Sequence, residues 1–411
     1  MARQVLVSAL RGPSLAELQS QLDDPFYEPR DRLLGKVRDL VVGHVRLARR
    51  EIRFGQAAFP SSQLTDLVVL PEFRHKGCGT ALLAAAEEAA RSDGSVLALL
   101  RTNQPYFFLR RGWCVWTRHS FSTAGAHEIL ARLCEAQSPV SVFRDSEAQR
   151  YNIRLWRHIE LDGLTRLYER NTAEAHGPLV RTDAYWQWLL ARHAFDRIYV
   201  ALDGPDRNEL DESPPIMGYA VVKGGRILEL MAAPDHPEAA TELLARICAD
   251  AVELNVHGVR LDAPVGDPLH RVLACSGGQV QHHEAVNGDV CLVKLLDAPR
   301  AIELLSDVLL GRARTARLPL PLDLGLQLDN ERYVLEVRGK SVGLRSGRGC
   351  RSYVRCASEV WTQLLLGHLD VGRARASQRL VTSTRVAEEA VRGLFPQLPL
   401  WRPPWDDVPA G

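Results

Sequence analysis

The chain carries almost no net charge: among its 411 residues, 51 basic side chains stand against 50 acidic ones, a formal balance of +1. That excludes a general attraction to nucleic acid or to an anionic membrane, so any anion site has to be local. Paired cysteines are missing too. The eight cysteines, at positions 78, 114, 134, 248, 275, 291, 350 and 356, form no C-x-x-C pair and have no histidines beside them at zinc spacing. They read as reduced thiols in a cytoplasmic protein, with no metal implied. No run reaches about 18 apolar residues, and the opening Met1–Arg11 segment is apolar only briefly, which predicts neither export nor membrane spanning. What remains is an ordinary globular composition, 46% hydrophobic and 25% charged, in a chain long enough for roughly two to four domains.

The most informative stretch is Leu64–Thr80. An apolar run, Leu64-Thr65-Asp66-Leu67-Val68-Val69-Leu70, stops at Pro71, crosses the basic Arg74-His75-Lys76 and opens through Gly77-Cys78-Gly79-Thr80 into the helix former Ala81–Arg91. A strand, a glycine loop and a helix in that order make an anion pocket. Amides around Gly77 and Gly79 and the first free N–H groups of the helix converge on a phosphate, and the dipole and the three cations reinforce the attraction. No Gly-Lys-Ser/Thr follows, which argues against a nucleotide-triphosphate loop.

Around this stretch the first third reads as a mixed α/β sheet. Ser14–Leu22 predicts a helix with a Ser14/Glu17 capping box. Asp23–Asp31 is acidic, aromatic and proline-punctuated. It reads either as a surface connection or as a substrate-facing lip, in which Asp24 and Glu28 attract an amine and the faces of Phe26 and Tyr27 hold a cation. Val41–Ala48 and Ile52–Phe59 predict paired strands separated by Arg49-Arg50-Glu51. A buried-type strand at Val96–Leu100 precedes a short helix within Thr102–Trp113, closed by Gly112.

From Val140 the order of elements begins again, with helices at Leu161–Thr172 and Thr182–Arg192 and strands at Ile198–Leu202, Ile216–Lys223, Ile227–Ala232, Val259–Ala263 and Asp289–Leu295. After Met231, however, Ala232-Ala233-Pro234-Asp235-His236-Pro237 has no basic cluster and no paired glycines. This half is expected to be a degenerate copy that binds no phosphate. Asp297-Ala298-Pro299 marks a boundary, followed by a helix over Arg300–Leu310, strands at Leu322–Leu328, Tyr333–Arg338 and Lys340–Arg345, and helices at Ala357–Leu366 and Thr384–Phe395.

Arg74-x-x-Gly77-x-Gly79 after a strand, with Phe108-Leu109-Arg110-Arg111-Gly112-Trp113 further on, resembles the acetyl-CoA loop and the late segment of the GCN5-related N-acetyltransferases (GNAT). Two such domains followed by a strands-then-helices domain similar to sterol carriers resemble the enhanced intracellular survival (Eis) acetyltransferases. The resemblance implies an α/β (α+β) fold: a GNAT domain at 1–140, a degenerate GNAT-like domain at 141–296 and a sterol-carrier-like domain at 297–411. It implies acetyl-CoA as co-substrate, no metal, a homo-oligomer such as a hexamer, and transfer to a primary amine of aminoglycoside, polyamine or lysine type. The alternative is a catalytically weak acyl-CoA- or lipid-binding protein.

Residue by residue, the resemblance places Leu67, Val68 and Val69 along the pantetheine arm. It places Arg74, His75, Lys76, Gly77, Cys78, Gly79 and Thr80 on the diphosphate, and Asn103 and Phe108 against the same ligand. The family's general acid is a tyrosine where this chain has Phe108, which has no proton to give, so Tyr106 is the substitute candidate. The family's base is its terminal carboxylate. Here the proline- and tryptophan-rich tail offers Asp406, Asp407 or the Gly411 terminus for that role.

Overall fold

A computed structural model describes residues 14–116, 119–137, 151–204, 215–283, 285–286, 289–347 and 349–408. The chain divides into two compact units, Met1–Thr117 with Glu284–Leu400, and Arg118–His283 with Trp401–Gly411. Among the described residues no helix is long and apolar enough to cross a membrane.

The first unit opens with α1 (Leu15–Leu22), β1 (Arg32–Val37), β2 (Leu40–Phe54), β3 (Ala57–Val69), α2 (Cys78–Ser92), β4 (Leu97–Thr102), α3 (Pro105–Leu109) and β5 (Cys114–Val115). The strands lie in the order β1-β2-β3-β4, and the late strand Asp289–Leu295 adds antiparallel to β4 and β5. β3 and β4 run parallel, whereas β1 with β2 and β2 with β3 are antiparallel. α2 forms where alanines and leucines follow the glycine loop, and it buries Leu82, Leu83, Ala86 and Ala90 at helical spacing. A Cβ at Gly43 of β2 would stand 2.5 Å from Leu82, so glycine there sets how closely helix and sheet approach.

The two strands expected at 41–48 and 52–59 are instead one long β2 and the start of β3, with the reversal at Gly55 (φ 64°). Charge did not break the strand because each arginine has an acid waiting. Arg50 pairs with Asp24 at 2.7 Å, and Arg49 pairs with Glu28 and Asp31, both at 2.8 Å.

The later part of this unit has two helices, Ala298–Leu304 and Ser306–Thr315, where one was expected over 300–310. A sheet follows in the order Val342–Ser346, Glu331–Val337, Leu322–Leu328, Tyr353–Cys356, Leu380–Thr382. Its helix Ser358–Leu365 packs on β5 and on Asp289–Leu295. This α+β part and the first sheet fall within one compact unit.

In the second unit the sheet runs Gln279–His283, His119–Gly125, Gly258–Asp262, Arg226–Ala232, Ile216–Lys223, Arg197–Leu202, Asn152–Leu155. The strand His119–Gly125 lies between two later strands and is antiparallel to both. The chain has thus joined the second sheet well before residue 140. Tail residues from Trp401 also belong to this unit. Trp405 is fully buried, edge-on to Trp186 at 5.8 Å and to Phe195 at 6.0 Å.

Candidate active site

Two strands that pair only part of the way create the site. β3 and β4 share a parallel ladder from Ser61↔Leu97 to Leu64↔Leu100, after which β3 continues to Val69 and β4 to Thr102 without one. The parting begins at a bulge. On the β2 side His44 faces Val68 and Arg46 faces Thr65, so Asp66 and Leu67 together oppose Val45. Asp66 is left-handed, φ 55°, a conformation that aspartate tolerates better than most residues with a side chain. Between the diverging ends lies a cleft of about 920 Å³.

The β3–α2 loop closes one end. Pro71–Phe73 makes a single 3-10 turn, His75 (φ 60°) and Gly77 (φ 86°) reverse the chain, and α2 begins at Cys78 with no side chain capping it. The Ala81 amide donates to the Gly77 carbonyl at 3.0 Å. The amides ahead of it in the first turn have no carbonyl within the helix to receive them. A Cβ on Gly79 would project toward Phe107 at 3.5 Å and Val69 at 3.7 Å, into the floor of the cleft.

The cleft brings together Leu67, Val68, Val69, Arg74, His75, Gly77, Gly79, Thr80, Asn103 and Phe108, all singled out from the sequence. Lys76 and Cys78 are outside its lining. Lys76 Nζ lies 5.3 Å from the Phe73 ring, and Cys78 is half-buried in the first turn of α2. Phe108 is buried and packs edge-on to Trp113 at 5.9 Å, a core contact that needs no hydroxyl. Tyr106 does not line the cleft. It is 77% exposed, because a two-residue step along α3 turns a side chain by about 200°.

The expected lip is arranged differently from an open amine trap. Asp24 is buried on Arg50 and stands 3.8 Å from Arg46, while Glu28 pairs with Arg49 and Arg30. The Phe26 ring faces the Arg50 guanidinium at 5.9 Å and the Tyr27 ring faces Arg32 at 5.6 Å. The chain's own arginines make the contacts that an acceptor cation would have made. In the tail, Asp406 is buried against Arg181, Asp407 pairs with Arg402, and Gly411 lies outside the described residues.

Two site residues were missed in the sequence. Arg111 donates from Nη2 to Thr80 Oγ1 at 2.8 Å and from Nη1 to the Phe107 carbonyl. Its guanidinium lies 4.0 Å from the Phe107 ring centre, and its Nε is buried without a hydrogen-bond partner among the described residues. Asp66 is the one carboxylate among the described residues lining the cleft. Its only signal was a polar pair, Thr65-Asp66, interrupting an apolar strand. Behind it, burial pushes His44 below the ordinary imidazole value of 6.5, with Arg32 and Arg46 adding to the effect and the Asp66 carbonyl and charge opposing it.

Residues 9–116 match the family model described as Acetyltransferase (GNAT) domain. No curated protein sequence matches the chain. Among solved structures, a GCN5-related N-acetyltransferase from Kribbella flavida superposes with TM-score 0.72 at 16% identity, covering 98% of this chain and 96% of that one. Eis1 from Mycobacterium abscessus gives TM-score 0.66 at 17% identity over 98% and 95%. A probable N-acyltransferase from Enterococcus faecalis gives 0.73 at 12% over 97% and 95%. At these identities the likeness is one of fold, and it extends along nearly the whole chain. The chain therefore carries a GNAT-type acetyltransferase domain at residues 9–116, within a mixed α/β architecture that these proteins share along nearly their whole length.

Proposed function

We propose that the protein is an N-acetyltransferase that moves the acetyl group of acetyl-CoA to a primary amine, with its site in the first unit. The observation that carries this reading is the cleft at the parting of β3 and β4, ended by an uncapped helix behind left-handed Gly77. The residues fit such a ligand. Amides of the Gly77–Thr80 turn, Arg74 and the buried, unpartnered Nε of Arg111 suit a diphosphate. The edge of β3 from Leu67 to Val69, which β4 leaves without a ladder, suits the amides of a pantetheine arm. When bound, acetyl-CoA supplies an activated acyl group as a thioester.

In this reading the acceptor is a cationic amine of the aminoglycoside, polyamine or lysine kind. The α+β part after residue 297 is sterol-carrier-like, and the protein works in the cytoplasm as a homo-oligomer. Incubation with acetyl-CoA and a panel of such amines, following thiol release, tests the central claim. Turnover is expected, and Gly77→Asp or Arg74→Ala should abolish it together with acetyl-CoA affinity measured by calorimetry. Acetyl-CoA binding without acetylation of any amine would leave a ligand-binding protein instead.

A further inference from the structure

We infer that Asp66 receives the acceptor ammonium in the cleft and removes its proton. This assignment rests on the acetyltransferase reading above. It is carried by position and by a closed ring of contacts that holds this one residue at two points.

The position comes first. Asp66 sits where the β3–β4 ladder ends, and it is the only carboxylate among the described lining residues. It lies three residues before Val69, about 10 Å back along the strand from the loop that leads into α2. A ligand whose anionic end occupies the glycine loop and whose arm follows β3 therefore brings its reactive end toward Asp66.

The ring of contacts comes next. Gln21 of α1 donates from Nε2 to Asp66 Oδ2 at 3.3 Å. The Gln21 side-chain oxygen Oε1 accepts from Arg32 Nη2 at 2.8 Å. Arg32 Nη1 reaches His44 Nε2 at 3.4 Å, and His44 Nδ1 reaches the Asp66 carbonyl at 3.2 Å. Because a guanidinium can only donate, His44 Nε2 accepts, which leaves the ring proton on Nδ1, donating to Asp66. Side chain and backbone of Asp66 are thus fixed by one circuit. Non-glycine left-handed residues cost about 1–3 kcal/mol and persist only when their surroundings over-determine them, most often at functional sites. Arg46, held by Asp24 and Thr65, is a charged neighbour of Asp66, and Arg101, Arg74, His75 and Arg111 line the same cleft.

The step balances without further reagents. The ammonium gives one proton to the Asp66 carboxylate, and the freed nitrogen lone pair forms a bond to the thioester carbonyl carbon. As the resulting adduct collapses, the C–S bond breaks and sulfur leaves with the bonding pair. The sulfur takes the surplus N–H proton to become the thiol, and Asp66 returns its proton to water. The products are the amide and CoA. General-base assistance of this kind contributes roughly 10²–10⁴-fold.

The test compares wild type, Asp66→Asn and Gln21→Ala on one amine found in the acceptor panel. Asp66→Asn should retain acetyl-CoA affinity, which also reports that it folds, bind the amine more weakly by calorimetry, and lose at least about 100-fold in kcat. Its kcat/KM should climb with unit slope up to the amine's own pKa, because only pre-deprotonated amine can react. Wild type should reach its plateau at lower pH. Gln21→Ala, a positioning change, should lower kcat by a smaller factor and keep the wild-type pH profile. If Asp66→Asn keeps the wild-type rate and profile, the assignment falls while the acetyltransferase reading stands. If wild type acetylates no amine, both fall.

Discussion

Arg181 and Asp406, 225 positions apart, share a doubly hydrogen-bonded ion pair, Nε to Oδ1 and Nη2 to Oδ2 at 3.0 Å each, with neither side chain reaching solvent. The same guanidinium also binds both oxygens of Glu229, at 2.9 and 2.6 Å, and lies 4.0 Å from the Tyr168 ring centre. Burial alone would lower the Arg181 pKa, but Asp406 and Glu229 carry it well above the ordinary arginine value. One cation therefore serves two carboxylates. Arg181→Met leaves both acids buried without a counter-charge and should cost about 3–5 kcal/mol, whereas Asp406→Asn keeps an acceptor and leaves a neutral pair, so its cost should be clearly smaller. Urea unfolding of the full chain checks the order, and equal losses would show that the charges do not act as this trio.

Close approach holds the tail as much as charge does. Gly177 has φ 113°, and a Cβ there would stand 2.5 Å from the Trp401 carbonyl oxygen. The Trp401 amide donates to the His176 carbonyl at 3.0 Å. Gly177→Ala should therefore push the tail off its seat. Limited proteolysis should cut near residue 400 faster in this variant than in wild type. Gly204→Ala, where a Cβ meets nothing within 4 Å although φ is 119°, is the strain-only control and should not change the cutting rate.

If the cleft holds acetyl-CoA as proposed, Arg111 should bear on ligand affinity rather than on folding. Its hydrogen bond to Thr80 fixes the guanidinium beside the first turn of α2, and its buried Nε is left for an incoming acceptor. Hydrogen bonds to charged groups contribute about 1.5–3 kcal/mol, so Arg111→Met should weaken acetyl-CoA binding by roughly 10- to 100-fold. Arg111→Lys should recover only part, because a point charge lacks the fork. Calorimetry showing unchanged affinity in Arg111→Met would remove this residue from the diphosphate site.

Local signals in the sequence were readable where the physics is local. The Ser14/Glu17 capping box and the glycine-led start of α2 both stand where residue chemistry placed them. Partner choice was not readable. Neither His119–Gly125 nor Asp289–Leu295 carries a local signal for the sheet that receives it, and only the fold sends the first to the second sheet and the second beside β4. Charge misled in the same way. Arg49-Arg50-Glu51 reads as a loop until Asp24, Glu28 and Asp31, distant in sequence, are brought opposite it. Asp66 was hidden for a further reason: a bulge shifts the alternation of side chains, so a strand pattern assigns such a residue to the wrong face.

His44 ties the stability of the first unit to pH. It is fully buried, and its folded pKa lies below the ordinary 6.5, chiefly through burial and then through Arg32 and Arg46. The unfolded chain therefore binds this proton more readily than the folded one. The stability tied to neutral His44 is present above about pH 6.5 and is lost as pH falls through the folded value, with a slope no steeper than one proton, about 1.4 kcal/mol per pH unit. Protonation would also turn Nε2 from acceptor to donor and set it against Arg32, opening the circuit around Asp66. His44→Asn keeps a donor toward the Asp66 carbonyl and cannot titrate. Urea midpoints measured from pH 7.5 down to 5 should fall more steeply for wild type than for His44→Asn. Parallel curves would mean that the buried imidazole is not the group whose protonation weakens the fold.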